Sequence, residues 1–423
     1  MKILFLTDNF PPESNAPATR TYEHCVEWLK KGAEVTVITC APNYPEGKVF
    51  NGYKNRWKQE ELMDGIRVIR VWSYIAANSG LFRRVLDHLS YCMTAFWASL
   101  FVKTDVIIAT SPQLFTAVSG YMASRIKGKP WIMEVRDLWP ESIKAVEAIN
   151  QSRVINLLER LVQHLYLKAN RIVVVTDAFK ERIQARGIDG DKIKVVKNGV
   201  HLHKFKYTNK NQAIIDQHQL GGKFIVAYIG THGMAHKLDF ILDCAQEVDN
   251  PEIHFLFVGS GAMKESLLQQ AKTMKLTNVS LLDPVPKEEV AQYISITDVA
   301  LINLRMTDTF RKVIPSKIFE NAAMSKPILL GVEGEAQDII ETYGAGLCFE
   351  PENKADFLEK LSKIYENKVL YLACKKGCKE LANDFNRASL AKKMYNYIEE
   401  LVNPTDAASS EEPKDKKATV SAK

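Results

Sequence analysis

The stretch "HLHKFKYTNKNQAIIDQHQLGGKFIVAYIG" (residues 201–230) is largely polar as far as Gly222 and then turns apolar up to Gly230. Its apolar end, "KFIVAYIG" (223–230), is short, shows no period-2 alternation and stops at a glycine, which reads as a strand buried on both faces. Upstream, short apolar runs alternate with helical patterns: "KILFLT" (2–7), "EVTVIT" (34–39), "IRVIRV" (66–71), "DVIIAT" (105–110), "PWIMEV" (130–135), "RIVVVT" (171–176) and "KIKVVK" (192–197). Downstream of the polar stretch the alternation begins again, with "IHFLFVG" (253–259), "VSLLD" (279–283), "DVALINL" (298–304) and "PILLGV" (327–332). A chain that completes one βα series, crosses a polar linker and restarts encodes two parallel sheets, each covered by helices. The expected class is therefore α/β, with two facing Rossmann-like doubly wound domains over residues 1–200 and 201–386. Ligand is expected in the cleft between them, at the carboxyl ends of the strands. The amphipathic helix "RASLAKKMYNYIEELV" (387–402) closes the fold, and residues 403–423, almost without apolar side chains, are expected to be disordered.

Composition narrows the function. Of 423 residues, 46% are hydrophobic and 25% charged, and the net charge is +6. Lys and Arg are dispersed among Asp and Glu, which is no nucleic-acid footprint. The seven cysteines are odd in number and sit mostly in apolar surroundings, as in a reducing compartment. The opening "MKILFLTDNFPPE" is broken by Asp8 and two prolines before a signal sequence could form, so a cytoplasmic protein is expected. "DGD" (189–191) lies in a helix-to-strand turn and is assigned to turn chemistry, with no metal.

Several segments carry candidate chemistry. In "VIPSKIFENAAMSKPIL" (313–329), Pro315 and Ser316 read as a helix start whose free N–H groups, with Lys317, suit an anion. Glu320, one turn on, suits a neutral diol such as a ribose; a capped core helix with solvent-facing charges is the competing reading. "YIGTHGMAHKLDFIL" (228–242) ends a strand at Gly230, continues through Thr231 and a Gly-containing loop, and delivers Lys237 to the next helix. Glycines let backbone approach phosphate oxygens, and a lysine neutralises charge on a leaving group. "FVGSGAMKES" (257–266) offers Gly259 and Gly261 with Asp283 ending the next strand, which mimics a dinucleotide fingerprint. Lys264 stands where its third glycine belongs, and the motif is on the second strand of its domain, so NAD is not expected.

In the first half, "NFPPESNAPATRTYE" (9–23) is a Pro-rich loop entering a helix, with Glu13, Asn15 and Arg20 as candidate acceptor contacts. "EVRDLWPES" (134–142) places Arg136 and Asp137 after a buried strand, positions suited to ligand contact or to a loop ion-pair cluster. Residues 82–103 hold an apolar run too short to span a bilayer, flanked by Arg83, Arg84 and Lys103. Leu89, Met93, Phe96, Trp97 and Leu100 share a face there, which fits either membrane docking through Phe96 and Trp97 or a buried helix.

Taken in order, "FPPE", "GAEVTVITCAPNYPEG" (32–47), "DLWPES", "VVKNGV" (195–200), "VGSGAMKESL" and "PSKIFENAAMSKPIL" resemble glycosyltransferase family 4, within it the bacterial polysaccharide branch that includes L-fucosamine transferases. The resemblance runs to about residue 402. It implies the GT-B architecture, with the last helix crossing back to the first domain, and metal-free, cofactor-free transfer with retention from a nucleotide-sugar donor. Carried onto this chain, it gives Glu320 the ribose, Lys237 the donor diphosphate, Ser316 and Lys317 support of the same phosphates, and Gly259 and Gly261 a place beside the nucleotide. Asn198 and Gly199 match the interdomain "NG" turn, and Arg136–Asp137 stand where many relatives carry His-Asp. The first Glu of the paired motif falls at Lys312, beside Arg311, and the usual diphosphate Arg falls at Thr231. A UDP-linked donor, an N-acetylated deoxy sugar and a lipid-linked saccharide acceptor at the inner membrane face are what the branch implies, in capsule or O-antigen synthesis. A sugar-nucleotide epimerase of the same fold and a non-catalytic GT-B subunit are the alternatives.

Overall fold

The computed structural model describes residues 1–13, 15–44, 46–75, 81–111, 113–141, 152–308 and 310–403, with backbone alone at 81, 82, 84 and 152. The tail expected to be disordered lies outside the described residues from position 404. The first half forms β1 (Lys2–Leu6), β2 (Glu34–Cys40), β3 (Lys58–Met63), β4 (Ile66–Val71), β5 (Val106–Thr110), β6 (Trp131–Val135), β7 (Arg171–Val174) and β8 (Ile193–Val195). The second half forms β9 (Phe224–Ile229), β10 (Ile253–Val258), β11 (Val279–Leu282), β12 (Val299–Asn303), β13 (Ile328–Gly331) and β14 (Gly346–Cys348).

The two sheets run β3-β4-β2-β1-β5-β6-β7-β8 and β11-β10-β9-β12-β13-β14. All ladders are parallel except β3–β4. β1 lies between β2 and β5, and β9 between β10 and β12, so each sheet reverses its strand order at its first strand. Loops leaving the carboxyl ends on either side of such a reversal diverge and open a crevice. This puts the loop after β1 and the loop after β9 at the two crevices, before any side chain is considered.

β3 was not legible in the sequence. "KQEELM" is polar on both faces because it is an edge strand, and it is held by a hairpin whose Asp64 and Gly65 take φ 47° and 87°. Elsewhere the pattern follows burial: β5, β6, β10 and β12 are buried at every position.

The final helix, Arg387–Val402, lies on the first sheet. Its Met394, Tyr395 and Ile398 join a core with Ile3, Phe5 and Trp28, and the Trp28 indole N–H donates to the Ala391 carbonyl at 2.9 Å. The segments joining the halves are bonded side by side: Val200 N–H donates to Phe385 O (3.0 Å) and Arg387 N–H to Val200 O (2.9 Å). A methyl group at Gly199 would sit 2.1 Å from the Phe385 carbonyl oxygen, so the crossing needs a glycine.

Arg20 has a different task from the acceptor contact expected of it. It is 1% exposed, and its guanidinium donates to Glu134 (3.0 Å), Val196 O (2.9 Å), Lys197 O (2.9 Å) and Asn198 Oδ1 (3.2 Å). With its donors spent on a buried carboxylate and the linker, it ties the interdomain connection to the first domain. Arg387 does the same from the other side, bonding Gly199 O and Glu23.

Candidate functional site

The second-domain side of the crevice is built from two nested glycine loops. A Cβ on Gly259 would lie 1.9 Å from Gly230 O, and one on Gly261 2.5 Å from His232 O, so the loops after β9 and β10 touch backbone to backbone. Gly259 also takes φ 152°, a conformation that disfavours a side chain. Lys317 reaches this place from the start of the helix between β12 and β13: a Cβ on Gly230 would be 2.6 Å from its Nζ, which also lies 5.0 Å from the centre of the Tyr228 ring. Burial holds the Lys317 ammonium below its usual range, opposed by Glu320.

Glu320 is half-buried on the same helix, Lys317–Ala323, and burial raises its carboxyl against the pull of Lys317, Arg387 and Lys287. No hydrogen-bond partner for its carboxylate is found among the described residues. Ser316 occupies the cap position but makes no side-chain cap bond, and the helix has only seven residues. The expected helix-terminus anion site is therefore weak, and the positive charge there is that of Lys317. Lys237 sits at the end of the loop in a left-handed conformation (φ 48°), with its Nζ 2.8 Å from Asp239. Thr231 is exposed, and its carbonyl accepts from the Tyr228 hydroxyl at 2.8 Å.

His232 and His236, in "THGMAH", were not singled out from the sequence. His232 is 0% exposed, with neither ring nitrogen hydrogen-bonded among the described residues. Burial, Lys264 and Lys317 push it down to about 4. His236 is likewise pushed down to about 4, by burial and Lys317. The signal available in sequence was their spacing in a glycine-bearing loop after a strand. The dinucleotide fingerprint is closed off: Lys264 is 7% exposed, bonded to Leu282 O and 3.7 Å from Asp283, so the acidic residue already has a cation beside it. Arg311, beside the exposed Lys312, pairs with Glu333 at 2.6 Å.

Across the crevice, Glu13 is 4% exposed and its Oε1 accepts from Asn43 N–H (2.8 Å) and Tyr44 N–H (2.9 Å). Asn15 caps the helix Ala16–Lys30, accepting from Ala18 N–H at 2.9 Å. Both were expected to face an acceptor, and both brace the loop instead. Asp8, at the end of β1, is pushed up to about 7 by burial and by Asp87 and Glu13. Arg136 donates to Pro17 O at 3.2 Å and is lowered to about 10 by burial, while the Asp137 side chain is exposed. The two halves meet where Lys287 Nζ donates to Thr19 Oγ1 (2.8 Å) and where Glu335 accepts from Asp177 N–H (3.2 Å) and pairs with Lys197 (2.7 Å). A cavity of about 660 Å³ against Glu141, Arg160 and Arg182 has none of the candidate donor residues in its lining.

On the helix Leu81–Leu100 the outward face differs from the one expected. Leu86, Leu89, Met93, Trp97 and then Phe101 are exposed, with Trp97 at 53%, whereas Phe96 packs against the core. The 3.6-residue period assigned Phe96 to the Trp97 side, but the groove against the neighbouring helix claims it. Arg83 and Lys103 are exposed, and the side chain of Arg84 lies outside the described residues. Among the described residues no helix is long and apolar enough to cross a membrane.

Residues 15–199 match the glycosyl transferase 4-like domain, and residues 210–382 match glycosyl transferases group 1. The chain belongs to the GT-B glycosyltransferases. An Escherichia coli protein named as a colanic acid biosynthesis glycosyl transferase, WcaI, is 23% identical over 84% of this glycosyltransferase and 89% of its own length. Pseudomonas aeruginosa WbjE, named as a glycosyltransferase, is 24% identical over 62% of this chain and 67% of its own. Among solved structures, Anabaena HepE in complex with UDP has a TM-score of 0.68 at 14% identity, covering 94% of this chain and 99% of that one. Sucrose-phosphate synthase from Thermosynechococcus elongatus has a TM-score of 0.75 at 13% identity over 96% and 100% of the two chains. The expected two-domain Rossmann-like fold is thus the fold of this enzyme.

Proposed function

We propose that this glycosyltransferase moves a sugar from a UDP-linked donor to a lipid-linked saccharide in bacterial polysaccharide synthesis, with retention and without a metal. The single observation that carries the reading is the approach of Lys317 to the Gly230 backbone at the switch point of the second sheet, with Glu320, whose carboxylate has no hydrogen-bond partner among the described residues, one turn on; it supports a cation for the phosphates and an acceptor for the ribose diol. The names of WcaI and HepE's complex with UDP support the polysaccharide and the nucleotide respectively. The transferred sugar is proposed to be an N-acetylated deoxy sugar, by the branch the sequence resembles.

The chemistry follows from charge. The bond from anomeric carbon to diphosphate breaks through an oxocarbenium-like state, and negative charge collects on the departing phosphate. In this reading Lys317 and Lys237 supply the ammonium groups that meet it. Lys237 reaches the phosphate by giving up Asp239, a partly exposed pair of the kind worth at most about 1 kcal/mol. In front-face transfer the departing diphosphate accepts the proton of the incoming hydroxyl, so no protein nucleophile is needed. The exposed ridge of Leu86, Leu89, Met93, Trp97 and Phe101, with Arg83 and Lys103 at its ends, is proposed to rest on an anionic membrane surface and bring the lipid-linked acceptor to the first domain. A UDP-N-acetylglucosamine 2-epimerase from Listeria monocytogenes shares the fold with a TM-score of 0.60 at 12% identity, which supports the fold and no epimerase chemistry here.

The test is thermal stabilisation by UDP, GDP, NAD and a set of UDP-sugars in the presence of chelator. UDP and its sugars are expected to shift the transition, and Glu320→Ala to abolish the shift. A shift with GDP or NAD alone would overturn the assignment of the donor.

A further inference from the structure

Three groups that can carry positive charge surround one aromatic ring at the end of β9. The His232 and His236 rings lie 6.1 Å and 5.6 Å from the Tyr228 ring centre, and Lys317 Nζ lies 5.0 Å from it. The loop is held from below by Asn303, whose side-chain amide donates to His236 O at 3.1 Å and to Lys237 O at 3.3 Å. His232 is enclosed under the Gly259 loop, where a Cβ would come within 3.2 Å of its Nε2, and both its ring nitrogens are without partners among the described residues. A buried imidazole without partners needs an explanation, because such groups in folded proteins are normally satisfied.

The charged groups facing the two rings come from two helices. Lys264, on Lys264–Thr273, and Lys317, on Lys317–Ala323, face His232; Lys317 and His232 itself face His236. Glu320 offsets Lys317 from one turn away. By themselves these cations, together with burial, favour the neutral form of both imidazoles. A diphosphate beside Lys317 reverses the local balance, because its two negative charges favour an imidazolium where an ammonium alone disfavoured it.

We propose that the His232–His236 pair takes up a proton when a nucleotide-sugar diphosphate enters beside Lys317, so that an imidazolium joins the ammonium groups around the leaving phosphate. The proton comes from solvent and rests on an imidazole nitrogen, and no covalent bond changes. The pair thereby supplies positive charge in the loop that carries Thr231, where the resemblance implied an arginine. This inference rests on the donor site proposed above and assigns it a proton-linked component.

The sign is fixed by linkage. Free imidazoles with lowered affinity for protons gain that affinity on binding, so the complex tightens as pH falls. If binding restores one ring to the ordinary histidine range near 6.5, affinity rises roughly fourfold from pH 8 to pH 6. UDP-glucose is the probe, since its diphosphate diester keeps the same charge throughout that range. Calorimetry at pH 6.5 in buffers of different ionisation enthalpy is expected to show net uptake of about half a proton, abolished in His232→Asn/His236→Asn. Histidine-labelled NMR of the unmodified enzyme gives the second readout: one imidazole is expected to titrate near neutrality only with UDP-glucose present. Binding of UDP-glucose with no proton uptake, or no histidine whose titration moves, would overturn this inference and leave the donor site standing. Absence of binding by both UDP-glucose and UDP would overturn the donor site and this inference together.

Discussion

At the scale of single residues, the site depends on which cation faces the crevice. The resemblance gave the donor diphosphate to Lys237, with Ser316 and Lys317 in support; geometry brings Lys317 to the Gly230 backbone and leaves Lys237 on Asp239. Lys317→Met is expected to lower turnover about 10²-fold or more, with an unchanged far-UV spectrum; near-native turnover would remove it from leaving-group stabilisation. Lys237→Ala is expected to fall by a similar factor if the Asp239 pair opens on binding. Asp8 carries a pH signature of its own. Its carboxyl, raised to about 7, keeps its proton in the native state where the unfolded chain has lost it, so stability is full below about 4 and declines as pH rises toward 7. Asp8→Asn should therefore be the more stable protein at pH 8, by on the order of 2 kcal/mol, with little difference at pH 4; urea midpoints at the two values measure this. The roles of Glu13, Asn15 and Arg20 were not legible, because the same polar side chain can face a ligand or a backbone N–H, and only the folded loop shows which partner is within 3 Å.

At the scale of elements, the apolar runs announced the buried strands and missed the edge. β3 has no apolar face to announce it, and its only sequence sign was the Asp64–Gly65 turn. The helix Leu81–Leu100 was legible in extent and misread in rotation: a run apolar over much of its surface does not say which side a neighbour will cover, and Phe96 went inward while Met93 stayed out. The crossing of the linker with the segment before the final helix is a packing event between elements far apart in the chain. Gly199→Ala is expected to destabilise by about 1–3 kcal/mol, as overpacking does, because the added methyl would press on the Phe385 carbonyl and Leu390. A denaturation midpoint equal to that of the unmodified protein would show that the crossing has slack.

At the scale of the whole molecule, contacts among the described residues join the halves across the crevice, Lys287 to Thr19 and Glu335 to Lys197 and to the start of the helix at Asp177. The exposed ridge lies on the helix Leu81–Leu100 of the first domain, and the proposed membrane contact is tested there. Trp97→Asp with Met93→Asp is expected to abolish sedimentation with anionic vesicles and to leave UDP binding intact; retention on vesicles would reject the ridge as the contact. The sequence by itself determined the two βα series, the linker, the buried strands and the glycine loops, because burial on both faces of a parallel sheet demands continuous apolar runs and close backbone approach demands glycine. Tertiary structure alone decided that Arg20 ties the linker, that the Trp28 indole meets the final helix at the Ala391 carbonyl, and that Lys317, Tyr228 and the two histidines converge. The physical reason is range. Strand and helix signals are carried by neighbours a few positions apart, whereas these contacts join residues separated by up to several hundred positions, where only packing selects the partner.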